Sequence, residues 1–196
     1  YIVMELCDGD LQQLIVQSPG RRLAEGKAAR YARQVLAALK HCHKQNLCHG
    51  DVKPENLLYK GNHDVIKLCD FGSLSTAVAH NRGPLSGSSS YMAPEGFAYG
   101  SVAAAGERSY NPIAADLWSF GITLYVMVAG HVPWAQATES DAAYARFLSG
   151  GGGAGAQRRY PAHFSAALAD LLDKLLAVDP AARCSAAQAL EHPWVN

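Results

Sequence analysis

Residues 49 to 59 read HGDVKPENLLY: a histidine, two carboxylates, a lysine and an asparagine within eight positions, followed by an apolar run. Further on stands Asp70-Phe71-Gly72. Between them, Leu57-Leu58-Tyr59 and Val65-Ile66-Lys67-Leu68 are short strand-like runs separated by KGNHD, a polar, glycine-containing turn suited to a hairpin. Pairing of the two runs would make the loops at the hairpin's ends face each other, gathering Asp51, Lys53, Asn56 and Asp70 around one small volume. Two carboxylates, an amide oxygen and an ammonium suit magnesium-bound phosphate, because hard oxygens hold Mg2+ while lysine meets phosphate oxygens. Asp51 is then left free to act as a base. An isolated aspartate is most often a loop or cap residue, so the reading rests on the joint order of these groups.

The elements that must position this cluster are mostly helices. Ala32, Val35, Leu36, Leu39 and Cys42 recur at helical spacing, and Gln45-Asn46 reads as the stop, so an amphipathic helix leads straight into the cluster. Asp116 to Ala129 is apolar nearly all round and predicts a helix buried in a helical domain. Leu168, Leu171, Leu172, Leu175 and Leu176 form a further stripe ended by Asp179-Pro180. From Ser73 to Ser90 the chain is rich in Ser, Gly, Asn and Pro and predicts a long functional loop. The run SGGGGAGA at 149–156 reads as a flexible insertion. Fold class is therefore mainly α with a short β-hairpin.

At 196 residues and 49% apolar, the chain can bury one domain core without staples. Its 17 basic and 17 acidic side chains argue against nucleic acid as the main partner. Five cysteines without framework spacing suggest a reducing, intracellular setting, and a cytoplasmic protein is the expectation. The longest apolar run, about Leu117 to Ala129, falls short of the roughly 20 residues a bilayer needs, and no secretory leader opens the chain, so no membrane segment is expected. HCHKQNLCH at 41–49 tempts a zinc assignment but lacks the usual ligand spacings, and the serines at 86–90 lack a G-x-S-x-G elbow.

Taken together, HGDVKPEN resembles the catalytic loop of eukaryotic protein kinases, and CDFGS their magnesium-binding loop. YIVMELCDGDL is similar to the kinase hinge and GSSSYMAPE to the end of the activation segment. AADLWSFGITLYVMVAGHVPW is similar to the buried central helix, and DPAARCSAAQALEHPW to the last helices. The resemblance implies the large lobe of a kinase across residues 1–196, with the hinge at 1–10, the catalytic loop at 49–56 and the activation segment at 70–95. ATP and Mg2+ are the implied cofactors and a protein with a serine or threonine acceptor the implied substrate; Lys53 in DVKPEN and Ser88 both fit the serine/threonine type. LYVMVAGHVPW and HPW look most like the calcium/calmodulin-dependent group.

Carried over by position, Asp51 orients the substrate hydroxyl and takes its proton, and Lys53 steadies the transferring group. Asn56 and Asp70 hold magnesium. Backbone groups of Glu5 and Cys7 meet adenine behind Met4, Asp10 meets ribose, and Glu55 and Leu58 complete the nucleotide-binding set, with Glu55 also able to meet a basic substrate residue. His49, Phe71 and Asp116 tie the catalytic loop to the central helix, and Glu95 and Arg183 form an architectural ion pair.

Gly50 departs from the family pattern. Most members carry arginine there, whose guanidinium clasps a phosphate on the activation loop, and glycine offers neither charge nor donor. Control through Ser75, Thr76 or Ser86 by that clamp is therefore not expected. The glycine-rich loop, strand lysine and helix glutamate of the small β-rich lobe are absent from this sequence, so a truncated chain is the expectation. Two readings follow: part of a working serine/threonine kinase, or a catalytically inactive large-lobe fragment that acts as a binding or scaffold module. Retention of Asp51, Lys53, Asn56 and Asp70 favours the first.

Overall fold

A computed structural model describes residues 3–62, 64–76, 88–101, 110–150 and 160–196. Most of the expected loop from Ser73 to Ser90, including Ser86, lies outside the described residues, as does the glycine-rich run from 151 onward. In chain order the elements are β1 (Gly9–Asp10), α1 (Leu11–Gln17), α2 (Glu25–Lys44), β2 (Leu47–Cys48), β3 (Leu57–Lys60), β4 (Val65–Leu68) and β5 (Ser75–Thr76). Then follow α3 (Pro94–Ser101), α4 (Pro112–Ala129), α5 (Ala142–Ser149), α6 (Ala166–Leu175) and α7 (Ala186–Leu190). The mainly helical expectation with its hairpin is borne out.

Helix α4 is the axis of the core. Asn111 caps it by accepting the Ala114 amide at 3.1 Å, and Pro112 occupies the first turn, where a missing N–H costs nothing. Because apolar residues cover its whole circumference, it is buried on every side; Leu117, Trp118, Phe120, Ile122, Leu124 and Met127 are all 0% exposed. It is long and apolar enough to span a bilayer by composition, yet most of it is buried inside the protein, as a core helix is. The leucine stripe of α6 packs on α4, and Gly121 permits the approach: a Cβ there would lie 2.8 Å from Leu176 Cδ2 and 3.0 Å from Leu175 Cβ.

Helix α2 buries Ala28, Tyr31, Ala32, Val35, Leu36 and Leu39 and ends at the predicted stop, with Gln45 as cap and Asn46 turning the chain at φ +58°. Strands β3 and β4 form the antiparallel hairpin, Leu57 opposite Leu68, and β1 adds to β3 with Asp10 opposite Leu58. Gln34 of α2 ties the hairpin down, accepting the Ile66 amide at 2.9 Å and donating to the Asp64 carbonyl at 3.0 Å. Strand β5 corrects the reading of Ser73 to Ser90 as loop throughout: Ser75 pairs with Cys48 and Thr76 with Leu47. A two-residue bridge has no periodicity for a sequence to display.

Two polar clamps close the lobe. The Arg183 side chain is fully buried; Nη1 donates to Glu95 Oε1 at 2.8 Å and to the Ala114 carbonyl at 2.7 Å, Nη2 to Glu95 Oε2 at 3.1 Å, and the ring of Trp118 lies 5.1 Å away. This is the ion pair expected from the sequence. Glu25, in the first turn of α2, accepts the Ser165 amide at 2.7 Å, the Ser165 hydroxyl at 2.6 Å and the Trp194 indole N–H at 2.8 Å. Burial pushes its carboxyl upward, but the hydrogen bonds from Ser165 and Trp194 outweigh that and hold it below the usual carboxylate range.

Removing Glu95 strands a buried guanidinium, so Glu95→Ala is expected to cost about 3–5 kcal/mol in chemical denaturation. The lowered folded-state pKa of Glu25 gives stability that is present above the unfolded carboxyl range and is lost as pH falls through the folded value. Glu25→Gln should cost about 1–2 kcal/mol at neutral pH and flatten the acid limb of a stability–pH curve, measured by urea unfolding between about pH 3 and 6.

Candidate active site

The Asp116 carboxylate, 2% exposed, projects from the first turns of α4 into the loop that follows β2. Its Oδ2 accepts the His49 amide at 2.8 Å and faces His43 Nε2 at 2.9 Å, while Oδ1 accepts the Gly50 amide at 2.9 Å. Two further groups of α4 reach out: Thr123 Oγ1 shares its one hydrogen between the Ser119 carbonyl at 2.9 Å and the Val52 carbonyl at 3.3 Å, and Ser119 Oγ donates to the Tyr91 carbonyl at 2.8 Å. Asp116, Ser119 and Thr123 are spaced three and four apart and so share one face of an otherwise apolar helix. That polar stripe was the sequence signal for Thr123, which the reading of the motifs missed; His43, on α2, had been weighed only as a metal ligand.

The loop's path follows from these anchors. Gly50 sits at φ +82°, and a Cβ there would lie 2.6 Å from the Ser73 carbonyl oxygen. Glycine is thus required for the backbone conformation and close approach found here, a reason beyond the missing guanidinium. His49 is fully buried with its ring 4.8 Å from that of Phe71. Its Nδ1 accepts the Asp51 amide at 3.2 Å, so Nε2 carries the hydrogen that reaches the Cys69 carbonyl at 2.8 Å. The Cys69 amide in turn donates to the Asn56 carbonyl at 3.0 Å. Both backbone groups of the residue before Asp70 are therefore held by residues 49–56, and the two ends of the hairpin meet as expected.

Asp51, Lys53 and Asn56 come together with Ser88. Lys53 Nζ lies 2.7 Å from Asp51 Oδ2 and donates to Ser88 Oγ at 2.9 Å. The Asn56 amide nitrogen donates to the Asp51 carbonyl at 2.8 Å and to Asp51 Oδ2 at 3.0 Å, and the Ser88 amide donates to Asp51 Oδ1 at 3.3 Å. Both oxygens of Asp51 are engaged by these donors, which fixes the carboxylate's orientation. With its NH2 spent on Asp51, Asn56 keeps its side-chain oxygen for a cation. Asp70 is exposed, in left-handed backbone at φ 62°, with Oδ1 accepting the Gly72 amide at 3.2 Å. Among the described residues no group of three His, Cys, Asp or Glu could enclose a metal by itself. Asn56 and Asp70 are hard oxygen donors suited to an ion that completes its shell with phosphate oxygens and water.

The residues of the expected nucleotide set line the neighbouring sheet. The Glu5 carboxylate reaches Lys60 Nζ at 3.2 Å and also contacts Lys67 Nζ; these two lysines hold it below the usual carboxylate range. Asp8 fastens the same segment, its amide donating to the Tyr59 carbonyl at 3.0 Å and its Oδ2 accepting the Gly61 amide at 2.8 Å. Leu58 is paired between Asp10 and Lys67, and Cys7 is half-buried. Asp10 spends one oxygen on the Gln13 amide at 2.8 Å as the cap of α1. Glu55 stands exposed. Burial, then the Asp116 and Cys42 charges, push the Cys48 thiol up to about 12, and burial also raises Cys42 and Cys69.

With this arrangement in view, comparison with known proteins assigns the class: the protein kinase domain family matches residues 1–195, and the chain belongs to that family. It is 32% identical over 194 residues to CBL-interacting protein kinase 29 of Oryza sativa subsp. japonica, covering 99% of this chain and 40% of the relative. With Aurora/IPL1-related protein kinase 2 of Caenorhabditis elegans it shares 34% identity over 198 residues, 100% of this chain and 58% of the relative. Calcium-dependent protein kinase 9 of Oryza sativa subsp. japonica is 36% identical over 200 residues, 100% of this chain and 32% of the relative. The chain thus spans less than two thirds of the length of these relatives.

Gly50→Ala is expected to destabilise the protein by about 1–3 kcal/mol, since the side chain must adopt positive φ and displace the Ser73 carbonyl. Urea unfolding measures the loss, and unchanged stability would mean that the loop does not take this path.

Proposed function

We propose that the protein is a serine/threonine protein kinase that transfers the γ-phosphoryl group of ATP to a protein hydroxyl. The observation that carries this reading is the contact set of Asp51, Lys53 and Ser88, which sets a fixed carboxylate, a cation and the segment beyond the activation loop against one another. In this reading the acceptor hydroxyl approaches Asp51, whose carboxylate orients it and takes its proton as the oxygen attacks phosphorus. Such positioned base catalysis is worth about 10²- to 10⁴-fold. Lys53, already poised on Asp51 and Ser88, offsets negative charge on the transferring group. Bound to Asn56 and Asp70, magnesium would neutralise the phosphate oxygens. Glu5 and Cys7 would meet adenine through their backbone groups, Asp10 the ribose through its second oxygen, and Leu58 the flat face of the base.

The serine/threonine preference rests on Lys53 in DVKPEN and its bond to Ser88. Glu55, exposed beside this cluster, is the carboxylate available to a basic residue of the substrate. Gly50 leaves no guanidinium for a phosphate on the activation segment, so the active arrangement is reached here without that clasp.

The test is phosphate transfer from radiolabelled ATP to a basic serine peptide by the full-length protein, with magnesium present or chelated. Asp51→Asn should lower turnover at least about 10²-fold while ATP affinity stays within a factor of about three. ATP binding without transfer in the unaltered protein would sink the catalytic reading and leave a binding module.

A further inference from the structure

The chain is neutral as a whole, with 17 basic and 17 acidic residues, but helix α2 is not. Along Glu25–Lys44 stand Lys27, Arg30, Arg33, Lys40 and Lys44, against Glu25 as the one acid, and Glu25 is turned inward to Ser165 and Trp194. At 100° per residue, Arg30, Arg33, Ala37, Lys40, His41 and Lys44 fall on a single face, opposite the buried stripe of Val35, Leu36 and Leu39. Arg30, Arg33, Ala37, His41 and Lys44 are exposed and Lys40 half-buried. No ion pair among the described residues engages Arg30, Arg33, Lys40 or Lys44. From Arg30 to Lys44 this row of unneutralised charge runs about 21 Å.

We infer that the outer face of α2 is a docking surface for an acidic polypeptide segment of a separate protein. Charge complementarity selects the sign of the partner, and the surroundings of the helix select its class. No large apolar side chain is exposed on α2, so it has no anchor for a lipid surface. Nor is any exposed Phe, Tyr or Trp interleaved with the cations, as base stacking on single-stranded nucleic acid would require. With α7 packed against it and the β3–β4 hairpin tied to it through Gln34, the helix is embedded in the lobe, whereas a helix that enters the major groove of a duplex must project. A second copy of this chain is a poor match as well, because its acidic residues nowhere repeat at alternate positions beyond the single pairs Asp8/Asp10 and Glu139/Asp141. What fits is an extended or helical segment with repeated Glu or Asp, whose carboxylates meet cations three and four residues apart on the helix.

The experiment is fluorescence anisotropy of the full-length protein with a short labelled peptide of alternating glutamate and serine, titrated at two salt concentrations. Arg30→Gln/Arg33→Gln/Lys44→Gln is compared with Arg21→Gln/Arg22→Gln/Arg146→Gln, which has the same net charge but alters cations outside α2. The expected result is salt-sensitive binding weakened about tenfold in the first variant and little in the second, with both keeping the unfolding midpoint of the unaltered protein. Equal weakening in the two variants would reduce the effect to net charge and overturn the proposal. So would tighter binding of a short DNA duplex or of phosphatidylserine vesicles than of the peptide, or loss of the stripe's effect once the protein self-associates.

Discussion

A single buried carboxylate organises the centre of this protein. Asp116 lies at the start of a helix whose other faces are sealed in hydrocarbon, and an ionised group so placed costs several kcal/mol unless donors surround it. The donors are the amides of His49 and Gly50, with His43 alongside, and their positions dictate where the loop after β2 runs. The positive φ at Gly50, the packing of His49 on Phe71 and the capture of both backbone groups of Cys69 all follow from that path. Asp70 is presented to solvent as the next residue, so a constraint inside the core sets the placement of a carboxylate at the surface.

Ion pairs in this protein differ in weight according to where they lie. Arg183 and Glu95 are joined by two hydrogen bonds in a site closed to water on the arginine side, with the Ala114 and Ala177 carbonyls taking the remaining donors. Such a pair holds the segment beginning at Pro94 against the start of α4, because neither partner can be left alone. Glu5, by contrast, meets Lys60 and Lys67 in the open, where solvent screens most of the attraction. Its part is to steady the segment before β1 against β3, already held there by the backbone bond from Asp8, rather than to add stability. Val3, Met4 and Leu6 of this segment are exposed.

Much of this was legible because long-range order in the sequence carries more information than any one motif. The periodicity of α2, the all-round apolarity of α4 and the leucines of α6 announced the core, and HGDVKPEN with CDFGS announced the cluster. Glu95 and Arg183, far apart in sequence, were pairable only through family resemblance. What escaped depended on contacts that leave no periodic trace: the bridge of β5 to β2, the bond of His43 to Asp116, and the three donors that immobilise Asp51. Gly50 was read for the charge it lacks, whereas the nearness of Ser73 to it could come only from the folded backbone. The face formed by Asp116, Ser119 and Thr123 was visible as polar residues at helical spacing, and its meaning became clear once Asp116 and Thr123 were seen to meet the loop after β2 and Ser119 the segment at Tyr91.

The claim that the Asp116 carboxylate holds the loop at 49–56 is tested most directly by hydrogen–deuterium exchange in Asp116→Asn. An amide side chain keeps one accepting oxygen where the carboxylate had two, so the backbone N–H of either His49 or Gly50 must lose its partner. The account predicts that protection of at least one of these two amides falls at least about tenfold, one lost hydrogen bond to a charged acceptor being worth about 1.5–3 kcal/mol, while amides in the middle of α4 and α6 keep theirs. Unchanged protection at both His49 and Gly50 would show that the loop holds its course without Asp116, and would contradict the account.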